Sequence, residues 1–597
     1  MAVTDPVQGT VTAALTKLQR VKGWLNDRDL TDLAAHLGIP TYRVEEVVSF
    51  FPHFRRRPPE PVEVDVCRDM TCHLRGAPGL TAALRTRFGG DGRVGVREVS
   101  CLGRCDRAPA VCVNRHAVGA EVHDALYLGR PAAEVETAVL ALADGQPPPA
   151  PNRDADRPRA GDPWRIDVSP AYEAARRYLR ELRQAEDPAA ALGRIDLIAK
   201  LKLSGLRGMG GAGAPAWKKW DDVARAAGAE KYIVCNADES EPGTFKDREL
   251  LLRAPHLVVE GVVLAGLACG ASRGYVYIRH EYPEQADAVR AAIAAAERER
   301  VCGSDVGGTG LDFPVAVFVS PGGYICGEQS ALIEAMEGKR AQPRNRPPEL
   351  ATNGLFDRPT LVNNVETFAW VPGIALHTVL DPARPVNWYG DLGPGGRGMR
   401  FFSVSGDVAR PGAYEVPIGA KVRDLMAAAG GVIGGEERLK AVATSGPSGG
   451  FVPRRLTDPK NPGRTTDLLD VELDIDVFRG LRLSLGAGIV VYADGADLTA
   501  AAANATEFFR NESCGKCVPC RTGSQKLAEV GLGLLRDRPT PDELERLQTA
   551  VRELDRALEV TSICGLGQVA AKPLATLLRY FLDEVGPVPL RSADGRH

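Results

Sequence analysis

Eight of the thirteen cysteines fall into two sets of four, and no other feature constrains the fold as tightly. One set is Cys67-x4-Cys72 followed, 28 residues on, by Cys101-x3-Cys105; the other is Cys514-x2-Cys517-x2-Cys520, with Cys564 after 43 intervening residues. The opening stretch Met1–Thr10 has neither the basic region nor the apolar core of a signal peptide, so a cytoplasmic location is expected. Thiols stay reduced there, and grouped cysteines read as metal ligands before disulfides. In the C-terminal set, three cysteines at two-residue gaps can wrap three corners of a cubane while the remote fourth closes it. A [4Fe–4S] cluster is expected; zinc, which usually takes two separated pairs, is the alternative. Each N-terminal pair lies at or just after a predicted strand, Val62–Cys67 and Val94–Val99, so two loops at one end of a sheet face each other. Four thiolates there suit a [2Fe–2S] rhomb, although this spacing alone also fits zinc. Cys112, Cys235, Cys269, Cys302 and Cys326 are unpaired by spacing and read as small packing residues.

A chain of 597 residues is too long for one core. Its net charge of −3 gives no electrostatic support for nucleic-acid binding, and its longest apolar stretch, Ala254–Gly270, is interrupted by His256 and Glu260 and too short for a membrane span. Helical periodicity comes in two pieces, Val11–Asn26 and Leu30–Phe54. A compact α/β unit follows, with a helix at Ala77–Arg87 and further strands at Ala110–Val113 and Asp124–Tyr127. His73 and His116, beside the first quartet, read as surface residues. Gly145–Trp164 is Pro-rich, polar and aperiodic, which predicts an extended, solvated linker. Beyond it Tyr232–Cys235, Tyr275–Ile278 and Val315–Val319 alternate with helices such as Ala286–Arg298, the pattern of a parallel doubly wound sheet. Residues 399–490 are richer in short strands and turns. From Asp497 onward helices dominate, and Thr540-Pro-Asp-Glu543 is a capping box with Pro at the first helical position.

Four motifs in the middle region carry ligand chemistry. Gly205–Pro215 places five glycines in nine residues before a predicted helix, Trp217–Ala227, where backbone amides and the helix N-terminus favour a phosphate; a plain turn is the alternative. Asn236, Asp238, Glu239 and Glu241 share one loop after a buried strand, suited to a metal or to sugar hydroxyls that need acceptors. Gly322–Glu328 is a second Gly-rich turn, and Asn363 and Asn364 present adjacent amides that both donate and accept.

The runs around Gly205–Trp220, CNADESEPGTFKDR, GGYICGE, RPTLVNNVET and ESCGKCVPCRTG resemble the 51-kDa-type flavin subunit of respiratory complex I and the diaphorase (beta) subunits of NAD-dependent formate dehydrogenases and NAD-linked hydrogenases. Residues 11–144 resemble the companion 24-kDa-type subunit. The resemblance implies a multidomain α/β chain: a helical head (1–60), a thioredoxin-like [2Fe–2S] domain (61–144), a linker (145–166), a Rossmann-like FMN and nucleotide domain (167–398), a ubiquitin-like β-grasp insert (399–490), and a C-terminal four-helix bundle with a [4Fe–4S] cluster (491–597). It implies FMN on Gly208, Gly210, Gly211, Gly213, Lys219, Asn236, Asp238, Glu239, Tyr324, Gly327, Glu328, Asn363 and Asn364, with Glu241 near NAD(H) or NADP(H). It further implies an NAD(P)H:acceptor oxidoreductase that needs a catalytic partner subunit with further iron–sulfur clusters, such as a formate dehydrogenase, a hydrogenase or a related molybdenum or tungsten enzyme. No residue beyond the bound flavin is expected to act as acid, base or nucleophile.

The departures from the family pattern cluster. Met209 stands for the usual Arg, Ala214 for Phe, Asp222 for an aromatic, Glu349 for the Phe of Pro-Pro-Phe, and Gln329 for the second Glu of a pair. Either nucleotide preference shifts toward a 2′-phosphate, attracted by Arg346, or the nucleotide site is degenerate. A zinc-bearing scaffold without electron transfer is the non-enzymatic alternative, and a stand-alone flavoenzyme lacks any additional catalytic constellation.

Overall fold

The computed structural model describes residues 5–116, 123–161, 163–167, 170–228, 230–458 and 461–585. The first four residues of the Met1–Thr10 stretch and the last twelve of the expected C-terminal unit lie outside them.

The N-terminal head is three helices, Val11–Lys22, Asp27–Leu37 and Thr41–Phe50. The expected single run from Leu30 to Phe54 breaks at Gly38-Ile39-Pro40, because Gly38 closes one helix and Pro40 cannot continue it. Strands β1 (Val62–Cys67), β2 (Val94–Val99), β3 (Ala110–Arg115) and β4 (His123–Leu128) form a sheet in the order β2-β1-β3-β4, with β1 and β2 parallel and the rest antiparallel. That parallel pairing brings Cys67 and the loop after Val99 to the same sheet end. His116 is no free surface residue: its Nε2 lies 2.7 Å from a carboxylate oxygen of Glu63, a strand residue that is itself buried.

Four parallel strands, β5 (Tyr232–Ala237), β6 (Arg273–Arg279), β7 (Val315–Ser320) and β8 (Thr360–Asn364), make the central sheet in the order β7-β6-β5-β8. The helix Pro255–Cys269 lies buried along almost its whole length, which accounts for the apolar run in the sequence. Among the described residues no single helix is long and apolar enough to cross a membrane. Because β6 and β7 continue on one side of β5 while β8 pairs on the other, the chain reverses direction between β5 and β8. Open α/β sheets bind ligands at the strand C-termini beside such a reversal.

β9 (Met399–Gly406), β10 (Gly412–Pro417), β11 (Leu439–Pro447), β12 (Val452–Pro453) and β15 (Gly488–Ala493) form a mixed five-stranded sheet, and β13 (Arg455–Asp458) pairs with β14 (Asn461–Asp467) as a separate hairpin. The chain then runs through helices Leu498–Glu512, Val518–Arg536, Pro541–Thr561 and Lys572–Tyr580, which pack on one another. Thr540 and Glu543 form the capping box read from the sequence.

The segment expected as a solvated linker is only partly so. Gly145–Pro151 is largely exposed, but from Asn152 the chain is stitched down. Asp154 is 1% exposed, 2.8 Å from Arg104 and accepting from Gln285 at 2.9 Å; Arg157 pairs with Asp106, and buried Trp164 meets Phe401 edge-on. Arg104 and Arg248 are buried cations, and a buried charge persists only when paired. The strap supplies Asp154 to Arg104, and Arg248 takes Asp106 at 2.9 Å.

Candidate functional site

The first four thiols lie together at one sheet end, and the second set lies at or just before the N-terminal ends of two neighbouring helices. Cys67 ends β1, Cys72 sits on the short helix Thr71–Leu74, and Cys101 and Cys105 occupy the loop after β2. All four are buried, and Cys105 Sγ lies 3.5 Å from Cys101 Sγ. Hydrogen bonds from Cys105 and Cys67 hold the Cys101 thiol well below its usual range, while the same contacts push Cys67 and Cys105 up. The Gly103 amide also donates to Cys101 Sγ at 3.3 Å. In the second quartet Cys517 caps the helix Val518–Arg536, Cys520 lies in its first turn, and Cys564 caps the short helix Gly565–Val569. Burial raises Cys520 to about 11 and Cys564 to about 12, with the charge of Cys514 adding to both. Gly567 makes the closure possible, since a side chain there would meet Cys520 Cβ at 2.9 Å. The donor sets are all-thiolate, the soft ligands that iron–sulfur clusters take.

The remaining predicted residues gather at the β5/β8 reversal. Parallel register sets Asn236 beside Asn364 and Cys235 beside Asn363. The Gly-rich loop closes through the Gly208 amide donating to Ala214 O at 2.8 Å, and it leans on β8, where a Cβ on Gly210 would lie 3.2 Å from Asn364 Cβ. Gly211, at φ +120°, faces open space, as an anion cradle should. Gly213 packs against Ile475 of the insert. Lys219, on the helix Ala216–Arg225, donates to Gln329 Oε1 at 3.0 Å and to Val362 O. Burial, reinforced by Arg346, lowers Lys219 to about 8.

Asn236 Nδ2 donates to Gly327 O at 2.8 Å, tying β5 to the turn after β7. Asp238 is raised to about 7 by burial, and its Oδ1 is buried without a hydrogen-bond partner. A Cβ on Gly327 would come within 3.4 Å of its other oxygen. This orphaned acceptor, between an amide and a glycine, fits a ligand hydroxyl. Glu241 accepts from Tyr324 Oη and, at 2.6 Å, from Ser448 Oγ. Asn363 Oδ1 accepts from Trp220 Nε1 at 3.2 Å, and Asn364 donates to Asp247 at 2.6 Å.

Two expected flavin carboxylates are otherwise employed. Glu239 accepts from the amides of Asp247 (2.6 Å) and Arg248 (2.9 Å) and from Tyr282 Oη (3.1 Å). It thus caps the helix Lys246–Arg253. Glu328 caps the helix Gln329–Met336 through the Ser330 and Ala331 amides and lies 2.8 Å from Arg346. Arg346, expected to attract a 2′-phosphate, is held by Glu328 and approached by Glu349 at 3.8 Å. Ala214, Asp222 and Glu349 are exposed, while Met209 is buried with its amide donating to Thr367 Oγ1.

Sequence reasoning missed several contributors. Ser448 lies in the Gly-rich turn Gly446-Pro-Ser-Gly-Gly450, a signal hidden by assigning the insert no part in the site. The loop Asp238–Phe245 runs on from the crevice until the Gly243 amide donates to Cys105 Sγ at 3.3 Å. Buried Arg279, at the end of β6, donates to Cys101 O at 2.5 Å and to Glu239 O at 2.9 Å.

Comparisons with known proteins agree with this geometry. Family models match residues 4–126 (thioredoxin-like [2Fe-2S] ferredoxin), 201–373 (Nuo51 FMN-binding domain), 401–452 (SLBB domain) and 500–587 (NADH-ubiquinone oxidoreductase-F iron-sulfur binding region). The chain is 39% identical over 419 residues to a subunit of the NADH-quinone oxidoreductase of Rhizobium meliloti (strain 1021), covering 69% of this chain and 92% of that protein. It is 38% identical over 394 residues to the mitochondrial NADH dehydrogenase [ubiquinone] flavoprotein 1 of Dictyostelium discoideum, covering 65% and 78%. Its fold matches the crystal structure of an NAD+-reducing [NiFe]-hydrogenase in the air-oxidized state with a TM-score of 0.77 and 29% identity, over 98% of this chain and 94% of that one.

Proposed function

The chain belongs to the family of NADH-quinone oxidoreductase subunits built on the Nuo51 FMN-binding domain, with a thioredoxin-like [2Fe–2S] domain fused ahead of it, and we propose that it exchanges electrons between NADH and its two iron–sulfur clusters through FMN. Flavin is the required hub because hydride brings two electrons at once while a cluster takes them singly. The observation that carries this reading is the single loop Asp238–Phe245, which begins at the crevice acceptor Asp238 and reaches Cys105 Sγ of the first quartet.

The chain's own groups bind and orient. The Gly208–Gly213 loop, the following helix N-terminus and Lys219 receive the flavin phosphate; Asn236 and Asp238 face its hydroxyls, and Asn363 and Asn364 its ring edge. Glu241 and Tyr324 stand toward the nucleotide. Glu239 and Glu328 serve this site as helix caps that hold its walls. Cys67, Cys72, Cys101 and Cys105 take the [2Fe–2S] cluster, and Cys514, Cys517, Cys520 and Cys564 the [4Fe–4S] cluster. The same reading divides the chain near residues 60, 144, 166, 398 and 490, takes the five-stranded sheet as a β-grasp insert and takes the four long C-terminal helices as a bundle.

Electrons must leave to a partner protein of the hydrogenase or formate dehydrogenase kind. A cleft of about 370 Å³ adjoins the second quartet; Arg43, Arg340 and Lys516 line it together with Glu46 and Glu334, which pair with Arg43 and Arg344, and Val518 is 61% exposed beside it. That surface, with charges of both signs and an exposed apolar side chain, suits a partner face of mixed charge.

Because Arg346 is already paired, the unphosphorylated nucleotide is the expected substrate. Stopped-flow reduction of the purified protein, after iron, sulfide and flavin analysis, tests this. The flavin should bleach at least tenfold faster with NADH than with NADPH. Equal or faster reduction by NADPH overturns the nucleotide assignment, reduction by neither shows a degenerate site, and a colourless zinc protein removes the whole reading.

A further inference from the structure

One face of the helix Leu498–Glu512 touches both loops of the first cysteine quartet and Tyr324 of the crevice. Residues 504, 508 and 512 recur at four-residue steps, so their side chains share that face. Asn504 Oδ1 accepts from the Met70 amide at 3.0 Å, and its Nδ2 donates to Arg68 O at 3.0 Å. Both contacts fall inside the loop between Cys67 and Cys72. One turn on, the Phe508 ring meets the Tyr324 ring edge-on at 5.0 Å. At the last position Glu512 Oε1 accepts from Ser100 Oγ at 2.5 Å, next to Cys101, while Oε2 accepts from the Tyr324 amide at 2.8 Å. The chain then leaves the helix through Ser513 and delivers Cys514.

A helix needing only to pack would carry apolar residues here too, as it does at its other buried positions Ala501, Ala502, Ala505 and Phe509. Asn504 and Glu512 instead commit four directional hydrogen bonds to backbone and hydroxyl groups of separate loops. Hydrogen bonds fix distance and angle as apolar contact does not, and buried ones are costly to break. We propose that Asn504 and Glu512 are positioning residues: this face registers the flavin crevice and both cysteine quartets against one another, so that the three sites keep fixed separations. The inference rests on the flavin and cluster assignment above. Neither residue touches a cysteine sulfur, so any effect on the clusters passes through the loops they hold.

The test uses the full-length chain loaded with flavin, iron and sulfide, as the parent and as Asn504→Ala, Glu512→Ala and Glu512→Gln. Its readouts are the electron paramagnetic resonance spectrum and midpoint potential of each cluster, with the rate at which the [2Fe–2S] cluster becomes reduced after NADH addition. Glu512→Ala should slow that reduction at least tenfold and shift the [2Fe–2S] midpoint by an amount on the order of 59 mV, a tenfold change for a one-electron couple. Glu512→Gln should largely restore both, because its amide oxygen still accepts from the Tyr324 amide and its NH2 can donate to Ser100 Oγ. Asn504→Ala should alter the [2Fe–2S] spectrum and leave the [4Fe–4S] spectrum unchanged. Parent-like spectra, potentials and rates in both alanine variants overturn the proposal. Where Glu512→Ala fails to accumulate as loaded protein, Asn504→Ala and Ser100→Ala, which removes only one of the four bonds, decide it by the same criteria. A parent lacking flavin or iron overturns the functional reading itself and the inference with it.

Discussion

Lys219 is a partly buried ammonium whose charge is lost at an unusually low pH, about 8, because desolvation and Arg346 both disfavour it. The cation is present below that pH and absent above it. A flavin phosphate, dianionic above about pH 7, should therefore rebind flavin-stripped protein with constant affinity between about pH 7 and 8 and lose up to about tenfold per unit above it. Lys219→Met should bind weakly at every pH and show no such break, as titration by flavin fluorescence will reveal. The lysine was legible in the sequence only through the resemblance, since nothing in its own spacing marks it. Gln329, its hydrogen-bond partner, was legible as a departure, but the consequence was not, because it depends on Lys219 reaching across from another helix. The cysteines were the opposite case. Their chemistry and spacing nearly determined their grouping, and only Gly567, which lets Cys564 close on Cys520, needed the third dimension to explain.

Strands and caps were read well where the pattern is local. The parallel sheet, the capping box at Thr540 and the Cys-bearing strand ends all follow from alternation and turn residues over short windows. Glu239 shows where that reading stops. As one of three neighbouring carboxylates it looks like a ligand-binding group, yet its side chain returns to the amides of Asp247 and Arg248, eight and nine residues on. Replacing a helix-capping acceptor costs about 1 to 2 kcal/mol. Glu239→Ala should thus speed hydrogen exchange of the amides in 246–253 roughly tenfold while the neighbouring strand β5 keeps its protection. Unchanged exchange in that helix would return Glu239 to the ligand-binding group.

The strap between the two halves was legible as a Pro-rich, aperiodic stretch and misread as free in solvent, because what pins it lies far away in sequence: Arg104 on one side, Gln285 on the other. Removing one member of a buried ion pair costs about 3 to 5 kcal/mol, since the other is left uncompensated. Asp154→Ala should make the 145–166 segment, with Arg153 and Arg159 as cleavage points, sensitive to brief trypsin treatment that the parent resists. Cleavage at equal rates would mean the strap is held by Trp164 and its neighbours instead. The covalent strap also governs supply. Two modules on separate chains part company when diluted and must be made in equal amounts, whereas a tether with its far half already docked turns their meeting into an intramolecular event. Each copy of the chain therefore brings one flavin domain and one [2Fe–2S] domain together, at any concentration.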